Sequence, residues 1–417
     1  MKIITLDEHQ FDEFAKNNKY RNYYQTSNYG KTISKHGYNI HYIGIIDEND
    51  KLLGAALLLY KEVFMNYKIA YAPRGFLLDY IDLNMLTEFT NRLKKLLSKQ
   101  GYISIKIDPY IPVNIRDNTG KIININNEAN IILENLKSIG YKYMGPNLFF
   151  EDEKPRFEAL ITLNDDIKKI YHKFEKRVRH KIKNSIRNGI EIYKGKKEDL
   201  SLFYEFIKKK YNKPLEYYQD LYTNFEGNID LYFAKLNTET FVITNRIQYE
   251  RELEINNYLT NEIQNASNIN NKKKIINQKI ESDKLVNTYK KNLVWATNLL
   301  KEKPEGIIIG TTLNIIYDNA CYLVIEGFNQ KFKSQNPNYL IKWKMINDYK
   351  NKNLKYINLN AVSGEFEKIT KYSGLNEMKL GFNSLITEYI GEFELIISPL
   401  PYNLYKNLNK DKKGSIF

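Results

Sequence analysis

Asp108 is the carboxylate in this sequence that is best placed for chemistry. It closes the run "YISIKID" (102–108), whose alternating isoleucines indicate a strand with one buried face, and Pro109 ends that strand. Open α/β sheets bind ligands beyond the C-terminal ends of their strands, and the stiff turn that follows puts Tyr110 beside this end. A carboxylate there can act as a general base or orient an amine. The alternatives are a cap of the strand end or a salt bridge to Lys106.

A second polar side chain, Arg74, lies in the segment "YAPRGF" (71–76), a Pro–Arg–Gly turn between two apolar segments. The planar guanidinium of arginine can bind a phosphate or a carboxylate through two parallel hydrogen bonds. The turn therefore predicts a clamp for an anionic ligand. An arginine that only bridges loop carbonyls would have the same sequence, so both interpretations stay open.

Within the segment from 171 to 193, the part up to residue 188 combines many cations with a single acid, Glu175, and the next acid, Glu191, follows Gly189. The cations are Lys173, Lys176, Arg177, Arg179, Lys181, Lys183 and Arg187. Apolar residues recur on one helical face, so the pattern predicts a single helix from about 165 to 188 that Gly189 ends. A solvated face usually mixes both signs of charge, so the excess favours a phosphate-bearing ligand. A merely solvated basic face is the alternative.

The elements that must position these residues repeat along the chain. A strand–strand–helix–strand pattern occurs near 38–109 and again near 305–363. Strands that alternate with helices in this way indicate an α/β (α+β) protein, and the repeat indicates two related domains. We assign residues 1–150 to the first domain and residues 151–243 and 304–417 to the second.

The segment 244–303 interrupts the second domain. It contains neither glycine nor proline and is rich in charged residues, Asn and Gln. Two helical patterns flank the turn-forming run "NASNINNKKK" (265–274) and predict a projecting, antiparallel coiled-coil arm with a narrow apolar seam. The predicted seam residues are Ile247, Leu253, Tyr258, Ile263, Ile276, Ile280, Val286, Leu293 and Leu300.

Composition narrows the classes of partner. The 417 residues have a formal net charge of +14, which favours nucleic acid, a phosphate-bearing substrate or an anionic membrane surface. A skewed genome that favours Lys, Asn, Ile and Tyr codons is an alternative source of this charge. Cys321 is the only cysteine and lies in an apolar run typical of a buried strand, so a reducing cytoplasm fits. The longest apolar stretch, residues 52–60, is too short to span a bilayer.

Motifs that bind cofactors are absent from the sequence. Residues 30–32 read "GKT", but Gln25 occupies the position where a phosphate-binding P-loop requires glycine. The sequence has no G-x-G-x-x-G fingerprint, no HExxH and no Gln/Arg-x-x-Gly-x-Gly/Ala loop of the kind that holds the pyrophosphate of acetyl-CoA. The five histidines show no ligand spacing, so we expect neither a metal nor a cofactor.

Seven segments, taken in order, resemble the Fem family, the tRNA-dependent aminoacyl transferases that build peptidoglycan cross-bridges. They are "YYQT" (23–26), "YAPRGF", "IKIDPYIP" (105–112), "RHKIKNSIRNGIEI" (179–192), "FKSQNPNYLIKWKMI" (332–346), "YINLNAVSGEF" (356–366) and "KLGFNSLITEYIGEF" (379–393). The resemblance covers nearly the whole chain and implies two acetyltransferase-like (GNAT-like) domains. The helical arm is similar to the one that the larger members carry in their second domain.

The resemblance implies a reaction in which an amine attacks the ester carbonyl of an aminoacyl-tRNA. The amine belongs to the lipid II stem peptide or to the growing interpeptide bridge. Glycine is the first candidate for the transferred amino acid, followed by alanine or serine. Asp108 would orient or deprotonate the amine, and Lys333 would stabilise the oxyanion. The ester is already activated, so no cofactor is implied. The family also implies a cytoplasmic protein, peripheral to the membrane face, with homologous Fem-type proteins or a second copy as partners.

Substrate contacts follow from the same resemblance. Phe332 would stack on the terminal adenine of the tRNA, and the basic segment would bind the pyrophosphate of the acceptor or the tRNA acceptor stem. Ile33 stands where the family often has a lysine, so the nearby Lys31 and Lys35 would contact phosphate instead. The predicted substrate contacts are Lys31, Lys35, Arg74, Tyr110, Arg177, Arg179, Lys183, Arg187 and Phe332.

One strand end departs from the family pattern. The segment "LNAVSG" (359–364) stands where an aromatic–Gly pair usually precedes the last Ser-Gly. This departure is compatible with a catalytically weak paralogue, and two other functions stay open. One is an acyl-CoA N-acyltransferase, against which the missing pyrophosphate loop argues, and the other is a non-catalytic paralogue that binds tRNA or lipid II.

Overall fold

A computed structural model of the chain describes residues 1–150, 152–266, 268–367 and 369–409. The described residues form strands β1 Lys2–Thr5, β2 Asn39–Ile46, β3 Leu52–Phe64, β4 Tyr67–Ala72, β5 Tyr102–Ile107, β6 Pro112–Arg116, β7 Ile122–Ile125, β8 Tyr141–Tyr143, β9 Phe157–Thr162, β10 Ile190–Gly195, β11 Ile229–Leu236, β12 Ile307–Tyr317, β13 Ala320–Phe328, β14 Tyr356–Ala361, β15 Leu385–Tyr389 and β16 Phe393–Ile396. The helices are α1 Glu8–Asn17, α2 Ser27–Ser34, α3 Leu83–Lys99, α4 Glu128–Ser138, α5 Ile167–Lys173, α6 Lys176–Arg187, α7 Leu200–Ile207, α8 Leu215–Asn224, α9 Thr238–Asn265, α10 Ile269–Glu302, α11 Pro337–Asn351, α12 Ser373–Leu380 and α13 Pro399–Leu408, with 3-10 turns at Lys197–Asp199 and Gln330–Gln335.

The strands build two sheets on one frame. The first sheet has the order β1-β2-β3-β4-β5-β16-β8, and the second has the order β10-β11-β12-β13-β14-β9-β15-β6-β7. In each sheet the fourth and fifth strands run parallel, whereas the strands on either side of them pair antiparallel. α3 connects β4 to β5 and α11 connects β13 to β14, because parallel neighbours need a long crossover.

The two sheets also exchange a strand. β9 follows β8 in the chain but pairs with β14 and β15, whereas β16 follows β15 but pairs with β5 and β8. β6 and β7 join the second sheet as well, although they lie within residues 1–150. A division of the chain at residue 150 therefore does not follow the hydrogen bonding of the sheets. Alternating apolar patterns identify a strand, but they do not identify its neighbour.

Helix caps and apolar faces fix the layers around the sheets. α3 starts at Asp82, whose side chain accepts the backbone N–H of Met85 at 3.0 Å, and one apolar face of this helix is buried. The apolar core continues between the two sheets, where the rings of Tyr23 and Tyr322 lie 5.1 Å apart. The two domains are therefore packed against each other rather than linked loosely.

The basic segment forms two helices, so the prediction of a single helix from about 165 to 188 is wrong. After α5, Phe174 adopts an extended conformation (φ −64°, ψ 148°) before α6 begins. Its ring packs 5.1 Å from that of Phe382, and the N–H of Glu175 donates to the carbonyl of Gly381 at 2.9 Å. These tertiary contacts break a helix that the local apolar period would continue.

The segment between β11 and β12 forms a hairpin of two helices, α9 and α10, as predicted. The hairpin begins at Thr238 rather than at residue 244, because Asn237 caps α9 by accepting the N–H of Thr240 at 2.9 Å. The equivalent connection of the first sheet, between β2 and β3, is a tight turn at 47–51. The predicted class, α/β with two related domains and an inserted helical arm, is confirmed.

The contact between the arm helices is polar at its centre. Asn256 Nδ2 donates to Ser282 Oγ at 3.2 Å, and Ser282 Oγ donates to Glu252 at 2.6 Å. Four residues that the apolar stripe placed in the seam are exposed, so the predicted seam is wrong at these positions, which are Ile247, Tyr258, Ile276 and Ile280. Although the arm helices are long, neither they nor the other helices of the described residues are apolar enough to cross a membrane.

Candidate active site

The parallel strands β4 and β5 separate after the pair Ala72 and Ile107. The turn after β4 puts Arg74 in the left-handed region (φ +53°), which is uncommon for a residue with a side chain. The backbone N–H of Arg74 thereby points to the end of β5 and donates to Oδ1 of Asp108 at 2.6 Å. Two predicted site residues are thus brought together at the C-terminal edge of the first sheet.

The guanidinium of Arg74 is committed to protein groups. The residue is 2% exposed, and its Nη2 donates to Glu158 Oε1 at 2.6 Å and to the carbonyl of Pro155 at 2.7 Å. Its Nη1 lies 3.6 Å from Oδ2 of Asp108. A buried charge requires partners of this kind. The geometry therefore supports an arginine that holds Asp108, rather than the predicted clamp for a phosphate.

Burial raises the pKa of Asp108 to about 6, and the charges of Arg74 and Lys154 oppose this rise. A carboxylate whose pKa lies closer to neutrality is a stronger base than an exposed aspartate. Lys106, the alternative salt-bridge partner, instead lies 3.1 Å from Glu153 and 3.7 Å from Glu392. Asp108 is therefore held by Arg74 and not by Lys106.

Aromatic rings enclose the Arg74–Asp108 pair. The centre of the Tyr389 ring lies 4.7 Å from the guanidinium carbon of Arg74, and that of Tyr110 lies 5.6 Å from it. The two rings stack on each other at 4.7 Å. Cation–π contacts of this kind favour a desolvated arginine. Tyr110, a predicted substrate contact, thus forms part of the wall around Arg74.

Two acidic residues near this point, of which Glu158 joins the two sheets, are not among the site residues predicted from the sequence. Glu158 on β9 accepts from Arg74 and also from Nδ2 of Asn358, at 2.6 Å. Glu388 on β15 accepts from Arg156 at 2.8 Å. The exchange of β9 between the sheets brings Glu158 to Arg74, 84 positions away in the chain. Only the pairing of distant strands reveals these partners.

The second sheet opens at the equivalent place, beyond the paired residues of β13 and β14. Lys342 on α11 lies 2.5 Å from Glu326, and Nζ of Lys379 on α12 donates to the carbonyl of Ala361 at 2.6 Å. Burial lowers the pKa of Lys379 to about 7. Both lysines lie in segments that resemble the Fem family, but neither is among the predicted site residues, because lysines on helices usually indicate a solvated face.

The predicted catalytic Lys333 lies in the 3-10 turn between β13 and α11, and it is exposed. Its neighbour Phe332 is 3% exposed, and its ring lies 5.5 Å from that of Trp295 on the arm. A ring that stacks on a nucleobase needs an open face. In this conformation Phe332 belongs to the core of the second domain, and Lys333 alone reaches solvent.

The basic residues of α6 divide into two groups. Arg177 lies 2.5 Å from Glu175 and also contacts Glu377, so the protein compensates its charge. The second group is Arg179, Lys183 and Arg187. These three recur every four residues and therefore share one face of the helix. Within the described residues, none of the three forms a salt bridge.

The two predicted phosphate contacts of the first domain are paired with acids. Lys31 lies 2.6 Å from Glu8, and Lys35 lies 2.7 Å from Asp220. Exposed pairs of this kind are weak, so a phosphate can replace the carboxylate at little cost. Both lysines are therefore accessible to an anionic ligand.

The described residues contain no group of three His, Cys, Asp or Glu side chains that could hold a metal ion. Cys321 is buried on β13, as predicted, and burial raises the pKa of its thiol. A thiol in such a setting is a poor nucleophile. The chemistry that these residues support is therefore proton transfer at Asp108 together with charge stabilisation by exposed cations.

Two sheets on one frame, with a buried carboxylate where the parallel strands of the first sheet separate, define an α/β protein with a candidate site for proton transfer. A family model described as the FemAB family matches residues 6–410. The chain belongs to the FemAB family. The enzyme class expected from the sequence, an aminoacyltransferase, is confirmed at this level.

Relatives and solved structures agree with this assignment over almost the full length. Aminoacyltransferase FemA of Staphylococcus epidermidis is 24% identical over 425 residues, which cover 99% of this chain and 100% of that protein. Aminoacyltransferase FemA of Staphylococcus aureus strain N315 is 25% identical over 437 residues and 99% of each chain. The crystal structure of FemX has a TM-score of 0.71 and 20% identity, covering 97% of this chain and 99% of FemX. The last likeness establishes the shared fold.

Proposed function

We propose that this protein transfers an amino acid from an aminoacyl-tRNA to an amine of the lipid II stem peptide or of the growing interpeptide bridge of peptidoglycan. Membership of the FemAB family supports the reaction class. The observation that carries the proposal is the Asp108 carboxylate, held by Arg74 at the edge of the first sheet with a pKa raised to about 6. Glycine is the first candidate for the transferred residue, followed by alanine and serine.

In the proposed reaction, the amine nitrogen attacks the carbonyl carbon of the aminoacyl ester. An N–C bond forms, the ester C–O bond breaks, and a ribose hydroxyl of the tRNA leaves with a proton. Asp108 accepts the proton that the amine loses, or orients the amine while a ribose hydroxyl takes that proton. Lys333 stabilises the oxyanion of the tetrahedral intermediate. No cofactor is needed, because the ester is already activated.

Arg74 acts in this proposal as a positioning residue. Its backbone N–H and its guanidinium hold Asp108, while Glu158 compensates the remaining positive charge. Glu158 belongs to the second sheet, so the position of the Asp108 carboxylate depends on both domains. The role of Arg74 thus shifts from the predicted substrate contact to the support of the base.

Both proposed substrates are polyanions, and the cationic face of α6, on which Lys183 and Arg187 are exposed and Arg179 is half-buried, supports their binding. This face is formed by Arg179, Lys183 and Arg187. Contacts to backbone phosphates depend on charge more than on base sequence. The protein would act at the cytoplasmic face of the membrane, where the lipid-linked acceptor is held, with a second copy or a Fem-type protein as a further partner.

The test is transfer by the purified full chain. Wild type, Asp108→Asn and Lys333→Ala are incubated with lipid II and with tRNA charged with glycine, alanine or serine, and the products are weighed by mass spectrometry. We expect the wild type to add a residue from one of these donors and each variant to be slowed about 100-fold or more. Asp50→Asn and Lys2→Ala, which change an exposed pair far from this chemistry, are the matched controls and should keep wild-type rates.

Two results would overturn the proposal. Transfer from an acyl-CoA, with none from aminoacyl-tRNA, would identify the chain as an acyl-CoA N-acyltransferase. Binding of tRNA or lipid II without transfer to any acceptor, pre-glycylated lipid II included, would identify a non-catalytic paralogue. In the second case the "LNAVSG" segment is the first place to restore the family pattern.

A further inference from the structure

The helix α13 lies on the first sheet and is held there by two tyrosines. Tyr402 and Tyr405 are buried, and the ring of Tyr405 stacks 6.1 Å from that of Phe64, at the end of β3. The hydroxyl of Tyr402 donates to a carboxylate oxygen of Glu394 at 2.6 Å. One side of α13 is therefore packed against the sheet, and the side chains of its other side face away from the sheet.

The outer side of α13 presents a row of leucines to solvent. Leu400, Leu404 and Leu408 are 85%, 50% and 66% exposed. They recur every four residues, so they lie one above the other along a single face. Met65, which is 79% exposed, follows Phe64 in the β3–β4 turn and adds a further apolar side chain at this end of the sheet. Contiguous exposed apolar residues of this kind mark a surface that binds a protein, a membrane or a ligand.

The charged residues of α13 and of the sequence after it are mostly basic. α13 contains no acidic residue, and its one charged side chain is Lys406, which is exposed and whose Nζ lies 3.8 Å from the buried Glu394 of β16. In the sequence that follows, outside the described residues, the basic residues are Lys410, Lys412 and Lys413, against one acid, Asp411. Leucines on one face, with lysines and asparagines beside them, are typical of helices that lie in the interface of an anionic bilayer.

We propose that the leucine row of α13 (Leu400, Leu404 and Leu408) is a membrane-docking surface that inserts into the interface of a bilayer containing anionic lipids. A protein partner is disfavoured, because the cores of protein interfaces are enriched in aromatic residues and arginine, and the exposed face of α13 has neither. Shallow insertion, by about 5–10 Å, suits a single row of leucines on a helix that lies flat on a sheet.

The position of α13 keeps this docking surface apart from the candidate active site. The tyrosines of α13 pack on Ile103, near the start of β5, whereas Asp108 follows the opposite end of that strand. Docking through α13 therefore leaves the edge that carries Asp108 uncovered. The biological purpose of this surface rests on the proposed function, since a lipid-linked acceptor requires the enzyme at the bilayer, but the docking itself can be measured without any substrate.

The test is the binding of the full chain to vesicles of phosphatidylcholine with and without phosphatidylglycerol, with no lipid II present, followed by sedimentation. We expect wild type to bind the anionic vesicles and the triple variant Leu400→Gln, Leu404→Gln, Leu408→Gln to bind about tenfold or more weakly. The matched control replaces three exposed apolar residues of the arm, as Ile247→Gln, Tyr258→Gln and Ile280→Gln, and should bind like wild type. Unchanged thermal melting of the triple variant checks its fold, because its three positions are exposed.

Two results overturn the inference. One is equal vesicle binding by wild type and the triple variant, and the other is absence of wild-type binding to anionic vesicles. A further combination is that wild type fails to bind anionic vesicles and yet forms a dimer in light scattering that the triple variant does not form. That combination would show that the leucine row is a protein interface instead. Asp108→Asn, measured in parallel, separates this inference from the proposed function. Vesicle binding without any transfer by wild type would contradict only the proposed function, and transfer by wild type without vesicle binding would contradict only the docking surface.

Discussion

The parallel strands of the first sheet separate around a carboxylate, whereas those of the second sheet separate around an amine. Asp108, after β5, has its pKa raised to about 6, and Lys379, beside the end of β14, has its pKa lowered to about 7. Burial causes both shifts, because a surrounding of low dielectric constant disfavours the charged form of either group. Equivalent points of one repeated frame thus hold titratable groups of opposite type.

The two groups have different roles: Asp108 can exchange a proton, whereas Lys379 supports the end of a strand. Asp108 is held in place by the backbone and side chain of Arg74, whereas Lys379 is itself the donor that holds the carbonyl of Ala361. Asn376, on the same helix as Lys379, donates to the carbonyl of Ser363 at 3.0 Å. Both contacts fix the segment 359–364, which departs from the family pattern. We therefore propose that proton transfer belongs to the first domain.

The largest effect is expected from Arg74→Ala, which tests whether the two domains depend on one guanidinium. Removing it leaves Asp108 and Glu158 buried without their cation, so the free energy of unfolding should fall by about 3–5 kcal/mol. Arg92→Ala, which removes the exposed pair with Glu88, is the matched control and should change stability by less than about 1 kcal/mol. Equal denaturation midpoints for the two variants would show that Arg74 does not join the domains.

The second prediction concerns the amine of the second sheet. Folding lowers the pKa of Lys379 from 10.5 to about 7, so between these values the unfolded chain binds more protons. The contribution of Lys379 to the free energy of unfolding should therefore rise with pH across this window, by on the order of a few kcal/mol. Lys379→Met should remove this rise in urea titrations at pH 7 and 9, whereas the exposed Lys371→Met should keep it. Parallel pH curves for wild type and Lys379→Met would contradict the burial of a neutral amine.

The third prediction concerns the carboxylate of the first sheet. Its contribution to the free energy of unfolding should change with pH in the opposite direction to that of Lys379, and by less. Folding raises the pKa of Asp108 from 3.8 to about 6, so between these values the folded chain binds more protons. The contribution of Asp108 is present below pH 4 and is lost as pH rises through about 6. Glu392, whose pKa burial raises to about 8, adds a dependence of the same sign, so the informative quantity is the difference between wild type and Asp108→Asn. A difference that does not vary between pH 4 and 6 would mean that Asp108 has an ordinary pKa.

The smallest effect on stability is expected at the cationic face of α6. Replacing Arg179, Lys183 or Arg187 singly by glutamine should change the free energy of unfolding by less than about 0.5 kcal/mol. Each change should nevertheless reduce the slope of log affinity for tRNA against log salt by about 1, because one phosphate contact is lost. Arg177→Gln is the comparison, since Arg177 already pairs with Glu175. A salt slope that responds to Arg177 and not to the other three would place the anionic ligand elsewhere.

The parts of the fold and site that local patterns encode could be predicted from the sequence. Alternating isoleucines and the following proline placed Asp108 at a strand end, and the long polar segment without glycine or proline placed the helical arm between two strands. Both predictions need only the period of a single element and its end signals. The order of motifs also identified the family correctly.

The parts that depend on distant contacts could not be predicted. Glu158 reaches Arg74 only because β9 crosses to the other sheet, and an alternating pattern contains no information about its partner strand. The break before α6 depends on contacts of Phe174 and Glu175 with the segment near Gly381. The seam of the arm centres on Asn256 and polar partners, which an apolar stripe cannot indicate.

The central claim, that Asp108 acts on the proton of the attacking amine, is tested most directly by the pH dependence of single-turnover transfer. Wild type and Asp108→Asn would be loaded with charged tRNA and lipid II, and the rate of product formation measured from pH 5 to 9. The account predicts a wild-type rate that falls as pH drops below about 6, and a variant that is about 100-fold slower and lacks this inflection. A variant with the wild-type rate and the wild-type pH profile would contradict it and would leave proton transfer to the substrates themselves.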